Sequence, residues 1–352
     1  MDILLIILLI VVGLVLLVVG ADLFVDGASG IAAKLRISAF VIGMTVVAFG
    51  TSAPELAVSI KSAIDGSGDI AMGNVVGSNI MNILLILGVS SLIRNLPVGK
   101  KTVAVELPFL ILISGVLFLL TEVVTPNELT RIDGLIFIIL FVIYIVYMVL
   151  GALHDRKVEA ATMLASPTDV ANNETPIKET EPSPAIKTRN GLLGAYDRMQ
   201  DKIWFLIVIT IAGLGFVVLG AQLVVDNVNA LTAMIENDNA RKILSITVVA
   251  LGTSLPELVT SVMAAIKGNT GLALGNIIGS NIMNILLILG LPTLIFGIPY
   301  ESSFLVDILV SIGAATLLLV CVGIGKGKKI NKAGGAIMLA SLVGYLIYLF
   351  LS

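Results

Sequence analysis

The stretch GTSAPELAVS, residues 50–59, lies inside a long apolar run, yet it carries a helix-breaking proline and a carboxylate. Pro54 has no backbone N–H, and its ring clashes with the carbonyl group four residues earlier, so the carbonyl of Gly50 loses its helical hydrogen bond. At membrane depth such a carbonyl is tolerated only where it is buried in protein or lines a cavity. The stretch therefore predicts an interrupted membrane span whose polar groups face the protein interior.

The composition of the whole chain is that of a membrane protein. Of 352 residues, 57% are hydrophobic and 13% are charged, whereas soluble domains are about half apolar and about a quarter charged. Apolar runs long enough to cross a hydrocarbon core of about 30 Å recur along the chain. We predict an all-α polytopic membrane protein that lies in a lipid bilayer. The N-terminal run has no basic flank and is too long for a signal peptide, so it is interpreted as the first span.

The apolar runs predict ten transmembrane helices separated by a polar linker. The predicted spans are residues 3–26, 38–64, 69–93, 103–122, 132–153, 203–226, 243–267, 271–295, 302–324 and 332–351. The linker, 154–202, is charged and contains four prolines, which is typical of a loop or a partly disordered segment. It divides an N-terminal five-helix repeat, 1–153, from a C-terminal one, 203–352.

The two halves are copies of one unit. Residues 50–88 align with 252–290 without a gap, and 25 of the 39 positions are identical. The second copy of the opening motif is GTSLPELVTS, with Pro256 and Glu257 at the corresponding positions. Because each copy has an odd number of spans, the second copy must enter the membrane upside down. This inverted-repeat plan is typical of secondary transporters.

The distribution of basic residues predicts the orientation. If the N-terminus is outside, 17 of the 21 Lys and Arg residues fall in cytoplasmic segments, seven of them in the linker. Cytoplasmic loops of membrane proteins carry this excess of positive charge. We therefore expect both termini outside and the linker 154–202 in the cytoplasm of a cell whose plasma membrane holds the protein.

The repeated motifs place oxygen-bearing side chains on common helix faces. Residues four apart share a face, so Thr51 lies beside Glu55 with Ser52 close by. The second half of each motif, GNVVGSNIMNILLILG (73–88) or GNIIGSNIMNILLILG (275–290), adds a serine and an asparagine four residues apart. The candidate side chains from both copies are Thr51, Ser52, Glu55, Ser78, Asn82, Thr253, Ser254, Glu257, Ser280 and Asn284.

Pooled at the centre of the molecule, these groups predict a site for a hard cation. Ca²⁺ takes six to eight oxygen ligands at about 2.3–2.6 Å, and one Ca²⁺ cancels the charge of two glutamates. An unpaired carboxylate at the bilayer centre costs at least about 2.5 kcal/mol. The site should therefore stay filled with Ca²⁺, Na⁺ or protons, which is a physical basis for obligatory exchange. With one histidine and one cysteine in the chain, a transition-metal site is not expected.

Other polar residues of the motifs have a structural interpretation. For Asn74, Asn79, Asn276 and Asn281 we expect structural hydrogen bonds, including bonds to unwound backbone. Ser59 and Ser261 lie four residues after each glutamate, and we expect them to bond back to their own helix rather than to bind an ion.

The paired GTSAPEL and GTSLPEL motifs, with the two GSNIMNILLILG segments, resemble the cation/Ca²⁺ exchanger superfamily, specifically its prokaryotic Na⁺/Ca²⁺ exchanger branch. The resemblance implies ten helices with broken helices 2, 3, 7 and 8 as the ion-binding core. It also implies electrogenic exchange of about three Na⁺ for one Ca²⁺. Glu55 and Glu257 then correspond to the Ca²⁺ carboxylates, assisted by Thr51 and Thr253. The implied Na⁺ ligands are Ser52, Ser78, Ser254, Ser280 and the backbone oxygens of Ala48 and Ala250.

One departure from the family pattern leaves the stoichiometry open. Some members have Asp at the position of Asn82 or Asn284, so a possible third carboxylate is missing here. The alternatives to Na⁺/Ca²⁺ antiport are H⁺/Ca²⁺ exchange through the same glutamates and, from another class, a passive cation channel. We expect no enzymatic activity, no cofactor, no nucleic acid and no protein partner, which is compatible with a monomer.

Overall fold

A computed structural model of the chain describes residues 3–126, 128–164, 199, 202–232, 252–299, 304–324 and 327–351. Ala250, the first part of the predicted seventh span and most of the linker lie outside these residues. Within the described ranges, eight helices are long and apolar enough to cross a membrane, or nine if one bent pair counts as a single span. The prediction of a helical, multi-pass membrane protein is confirmed at this level.

The helices follow the predicted spans in order. They are α1 (Ile3–Leu35), α2 (Ala39–Thr51), α3 (Ala53–Ile64), α4 (Gly68–Ile93), α5 (Thr102–Val124), α6 (Arg131–Leu164), α7 (Ile203–Thr232), α8 (Leu255–Lys267), α9 (Thr270–Phe296), α10 (Leu305–Ile324) and α11 (Lys332–Leu351).

Three helices continue well past the predicted ends of their spans. Helix α1 runs to Leu35 instead of 26, α7 to Thr232 instead of 226, and α6 to Leu164, inside the predicted linker. The sequence beyond Asp26 is rich in alanine, and the sequence after His154 contains Arg, Lys, Glu, Ala and Met, all good helix formers. Hydropathy predicts which part of a helix lies in lipid, whereas the helix propensity of the following residues favours its continuation beyond the span.

The second predicted span is broken where the opening motif predicts. Helices α2 and α3 are bent by 47° at Ser52, and Pro54 lies in the first turn of α3. In the second repeat α8 begins after Ser254 in the same way, with Pro256 in its first turn. In both copies the proline lies in the first turn of its helix. Backbone N–H groups in this turn have no acceptor within the helix, so the N–H that proline lacks breaks no helical hydrogen bond.

The expectation of breaks in the third and eighth spans is not met. Helices α4 and α9 are continuous, and each widens into a π-helical turn, at Asn82–Leu87 and Asn284–Leu289 respectively. No proline occurs in α4, or in α9 before Pro292, so every residue of these turns keeps its N–H. The backbone therefore accommodates the polar motif by widening, a change that often marks functional sites.

Two short pairs of strands connect the two halves of the chain. Strand β1 (Leu96–Pro97) pairs with β4 (Lys329–Ile330), and β2 (Glu128–Leu129) pairs with β3 (Ile298–Pro299), both antiparallel. Shifting β1 by the offset between the two motif copies (252 − 50 = 202) gives β3, and shifting β2 by the same offset gives residues 330–331, which overlap β4 at Ile330. Each pair therefore joins a loop of one half to a loop of the other.

Helices α4 and α9 lie at the centre of the molecule. In their most apolar windows 67% and 94% of the residues are buried, against 22% for α1 and for α11. Their isoleucine, leucine and valine side chains form one large core cluster with residues of α5, α6, α10 and α11. The polar motif residues of α4 and α9 therefore lie in the most buried helices among those described.

Glycines bring α9 unusually close to the first half of the broken span. A Cβ on Gly275 would meet the carbonyl oxygen of Phe40, and one on Gly279 would lie 2.5–2.8 Å from the Met44 backbone. Small residues allow helix backbones to approach in this way in membranes. This contact places the side chains of α9 against the end of α2, where the GTS motif begins.

Helices α1 and α7 form a separate pair on one side of this core. They pack through glycines, since a Cβ on Gly13 would lie 2.9 Å from the Gly220 oxygen and one on Gly20 would lie 2.8 Å from the Gly213 oxygen. An ion pair connects this pair of helices to the core: Lys267, at the end of α8, lies 2.7 Å from Asp22 and 2.6 Å from Asp26 of α1.

Candidate ion-binding site

The GTS segment of each half contacts the GSN segment of the other half, which lies on α9 or α4. The Ser52 hydroxyl donates to Glu257 Oε1 at 2.8 Å and lies 3.1 Å from the Ser280 hydroxyl. The Ser254 hydroxyl lies 3.2 Å from that of Ser78. Each serine of a GTS motif therefore contacts the serine of the GSN motif from the opposite half.

The two glutamates lie inside this cluster. Glu55 is 1% exposed and Glu257 is fully buried, and the two carboxylates are close enough for their charges to interact. The Oε2 atom of each has no hydrogen-bond partner. Buried polar atoms are almost always satisfied, so these two carboxylate oxygens are the atoms of the cluster best suited to bind a cation.

The remaining predicted threonine and alanine ligands differ in how far they are buried. Thr51 is buried, and its hydroxyl oxygen is 3.2 Å from Asn276 Oδ1 and 3.4 Å from the Ala48 carbonyl. Thr253 is only partly buried. Ala48 is fully buried, while Ala250 lies outside the described residues, so its carbonyl cannot be placed.

Asn82 and Asn284 begin the two π-helical turns and are both buried. The Oδ1 atom of each has no hydrogen-bond partner. Asn284 donates through Nδ2 to Asn79 Oδ1 at 3.0 Å. Each amide therefore presents an uncommitted neutral oxygen in the core, where some family members would have a carboxylate.

A second layer of amides supports the ligands. Asn74 donates to the Ser59 hydroxyl at 3.1 Å and to the Glu55 carbonyl at 3.2 Å, and Asn276 donates to the Ser261 hydroxyl at 2.9 Å. Structural hydrogen bonding of these asparagines agrees with expectation. The serines, expected to bond back to their own helix, instead accept hydrogen bonds from the asparagine of the neighbouring helix in the same repeat.

Asn281 differs from the expectation for its group. Its backbone carbonyl accepts a hydrogen bond from Asn79 Nδ2 at 3.3 Å, but neither atom of its own amide has a partner although the residue is fully buried. Asn79 and Asn281 both stand in a GSN motif, so we predicted the same structural role for both. A difference between the two halves in this network cannot be read from identical motifs.

A buried, oxygen-rich site between two repeats of apolar helices defines a membrane transport protein for hard cations. Comparison with known proteins agrees with this class. The sodium/calcium exchanger protein family matches residues 5–150 and, separately, residues 205–351. The chain belongs to this family, and the resemblance in its motifs is confirmed.

Full-length relatives and solved structures support the assignment. The putative antiporter CaxA of Alkalimonas amylolytica is 38% identical over 97% of this chain and 98% of its own length. The sodium/calcium exchanger MaX1 of Methanosarcina acetivorans is 34% identical over 97% of this chain and 98% of its own. The structure of the sodium-calcium exchanger NCX_Mj, soaked with zero Na⁺ and Ca²⁺, aligns with a TM-score of 0.76 at 30% identity, covering 99% of this chain and 100% of NCX_Mj.

Proposed function

We propose that this protein exchanges Na⁺ for Ca²⁺ across the cell membrane by alternating access. The observation that carries the proposal is the buried cluster in which serines of each half reach those of the other and two glutamates keep an unpartnered oxygen. Two carboxylates supply the charge that one Ca²⁺ neutralises, and the surrounding hydroxyl and carbonyl oxygens are hard ligands.

Glu55 and Glu257 bind Ca²⁺ in this proposal, and Thr51 and Thr253 assist them. The Na⁺ ligands are the serine hydroxyls at 52, 78, 254 and 280 with the carbonyls of Ala48 and Ala250. Because Ser52 contacts Glu257, a proposed Na⁺ ligand and a proposed Ca²⁺ ligand are direct neighbours. Binding of one ion therefore withdraws oxygens from the other, and the two compete for the site.

The amides of Asn82 and Asn284 act as neutral members of the same site. Their free Oδ1 atoms can contact a cation or a bound water without adding charge. Exchange of about three Na⁺ for one Ca²⁺ moves one net charge, because three single charges cross against one double charge, so the proposed transport is electrogenic.

The proposed architecture has ten spans in two inverted repeats, with both termini outside and the linker in the cytoplasm. It is supported by the separate match of the family to each half and by the strand pairs that follow the repeat offset. The glycine-packed pair of α1 and α7 is the element that slides against the core to change access. The repeat centre, where the cluster lies, is the usual place for a transported ion.

The direct test is the counter-ion requirement of Ca²⁺ uptake. Purified protein is reconstituted in vesicles loaded with Na⁺, and uptake of radioactive Ca²⁺ is measured after dilution into Na⁺-free medium. We expect uptake that stops when internal Na⁺ is replaced by choline. Uptake driven by a pH gradient without Na⁺ would establish the H⁺/Ca²⁺ alternative, since the same glutamates can carry protons. Uptake without either gradient would indicate a channel.

A further inference from the structure

Asn276 is fully buried behind the ion-binding cluster and contacts two hydroxyl groups. Its amide oxygen is 3.2 Å from the Thr51 hydroxyl, and its amide nitrogen donates to the Ser261 hydroxyl at 2.9 Å. In the structure the amide is oriented with its NH₂ group toward the Ser261 hydroxyl and its oxygen toward the Thr51 hydroxyl. The atom facing Thr51 is therefore an acceptor.

The orientation of a hydroxyl decides whether it can bind a cation. A threonine hydroxyl has one proton and two lone pairs, and a cation accepts only the lone pairs. The Thr51 proton has three acceptors within reach: Asn276 Oδ1 at 3.2 Å, the Ala48 carbonyl at 3.4 Å and the carboxylate of Glu257. A proton directed to Asn276 leaves the lone pairs of Thr51 and the carbonyl of Ala48 available to the ion.

We infer that Asn276 is a positioning residue, which takes the Thr51 hydroxyl proton and so turns the Thr51 lone pairs toward the transported cation. The inference rests on the proposed function, since it assigns Thr51 to the ion. The geometry is held by the backbone, because the close contact of Gly275 with Phe40 keeps α9 against α2. Ser261 anchors the amide from the side away from Thr51.

Ca²⁺ affinity in single and double variants tests this inference. We expect Asn276→Leu, which keeps the side-chain shape without the acceptor, to raise the half-saturating Ca²⁺ concentration about tenfold, the worth of one hydrogen bond that orients a ligand. The maximal uptake rate should stay within about twofold. Thr51→Val should raise the half-saturating concentration by a similar factor.

The double variant separates positioning from a general structural effect. If Asn276 acts through Thr51, Asn276→Leu should add almost nothing in a Thr51→Val protein, because coupled residues are not additive. Two single effects that multiply in the double variant would overturn the inference. A wild-type protein that shows no Na⁺-driven Ca²⁺ uptake would instead refute the proposed function, so the two failures are distinguishable.

Ser261→Ala gives the same test if Asn276→Leu does not fold. It removes only the anchor of the amide and should raise the half-saturating Ca²⁺ concentration about threefold in the wild-type background. We expect this effect to disappear in the Thr51→Val background. An equal effect in both backgrounds, or none in either, would contradict the positioning role.

Discussion

At Glu55 and Glu257, burial and charge oppose each other. Both side chains are out of contact with solvent, and each has an oxygen without a partner. Two ionised carboxylates in this position destabilise the protein unless a cation lies between them. The same arrangement that costs stability when the site is empty therefore selects for ion binding.

Neutralising either glutamate should abolish Ca²⁺ transport. We expect Glu55→Gln and Glu257→Gln each to lower Na⁺-driven Ca²⁺ uptake at least about a hundredfold, because a charged ligand of a divalent ion is lost. Ca²⁺ should also no longer raise the thermal unfolding temperature, as it does for a protein that binds it in the folded state.

The matched control for this pair is Glu128→Gln, at an exposed glutamate of strand β2. It should transport like the wild type. Undiminished uptake in either Glu55→Gln or Glu257→Gln would remove the site assignment.

Ser52 should act mainly on Na⁺. Its hydroxyl bridges Glu257 and Ser280 across the repeats, so Ser52→Ala removes a neutral ligand and a hydrogen bond to the carboxylate. We expect the Na⁺ concentration that half-inhibits Ca²⁺ uptake to rise about tenfold. Ser341→Ala is the control, because that exposed hydroxyl bonds only to the carbonyl of Ile337 in its own helix. An unchanged Na⁺ inhibition curve for Ser52→Ala would contradict its role.

At the scale of helices, the approach of α9 to α2 decides where the GTS turn lies. We expect Gly275→Ala to lower the stability of the folded protein by about 1–3 kcal/mol, since the added methyl group overlaps the Phe40 carbonyl. Thermal unfolding in detergent is the measurement. Gly313→Ala, where nothing lies within 4 Å, should unfold like the wild type, and equal stability of both variants would refute the close contact.

The ion pair between α1 and α8 gives a test of sliding. If α1 and α7 move against the core, joining the cysteines of Asp26→Cys/Lys267→Cys with a bifunctional thiol reagent should lower Ca²⁺ uptake by more than about tenfold, because the parent side chains form an ion pair here, with Lys267 Nζ 2.6 Å from Asp26 Oδ1, and must separate. The natural Cys321 is first replaced by serine.

The control cross-link joins Lys61→Cys and Asp65→Cys, whose parent side chains form an ion pair at one end of α3. That cross-link lies within one element of the core and should leave transport intact. A protein cross-linked between α1 and α8 that still exchanges ions at the normal rate would show that these two helices move together.

The sequence predicts most of these elements because each has a local cause. Pro54 and Pro256 determine the broken turns, and the apolar runs determine the spans. The π-helical turns at Asn82 and Asn284 have no comparable signal, since widening a helix removes no donor and needs no special residue. The partners of Asn276 also could not be predicted, because Thr51 and Ser261 are brought together by packing of distant segments.

At the scale of the whole molecule, residues from both halves of the chain meet at the candidate site. Strand pairs and serine contacts both join one half to the other. A conformational change that moves the halves in opposite senses can therefore expose the same cluster first on one side and then on the other. The repeat was visible in the sequence, whereas the contacts that join its copies required the folded chain.

Electrogenic exchange predicts a dependence on membrane potential. When about three Na⁺ leave a vesicle for each Ca²⁺ that enters, one positive charge moves outward, so an inside-positive potential should accelerate uptake. Moving one elementary charge across a potential of 100 mV changes the free energy by about 2.3 kcal/mol. We expect valinomycin with inwardly directed K⁺ to increase the initial rate several-fold. A rate independent of this potential would indicate electroneutral exchange.

Obligatory exchange is the central claim, because the two buried carboxylates make an empty site unfavourable. Vesicles loaded with radioactive Ca²⁺ are diluted into medium that contains Na⁺, unlabelled Ca²⁺ or only choline, and efflux is followed over time. We predict rapid efflux into the first two media and none above the protein-free leak into the third. Efflux into choline medium at the same rate as into Na⁺ would contradict the account.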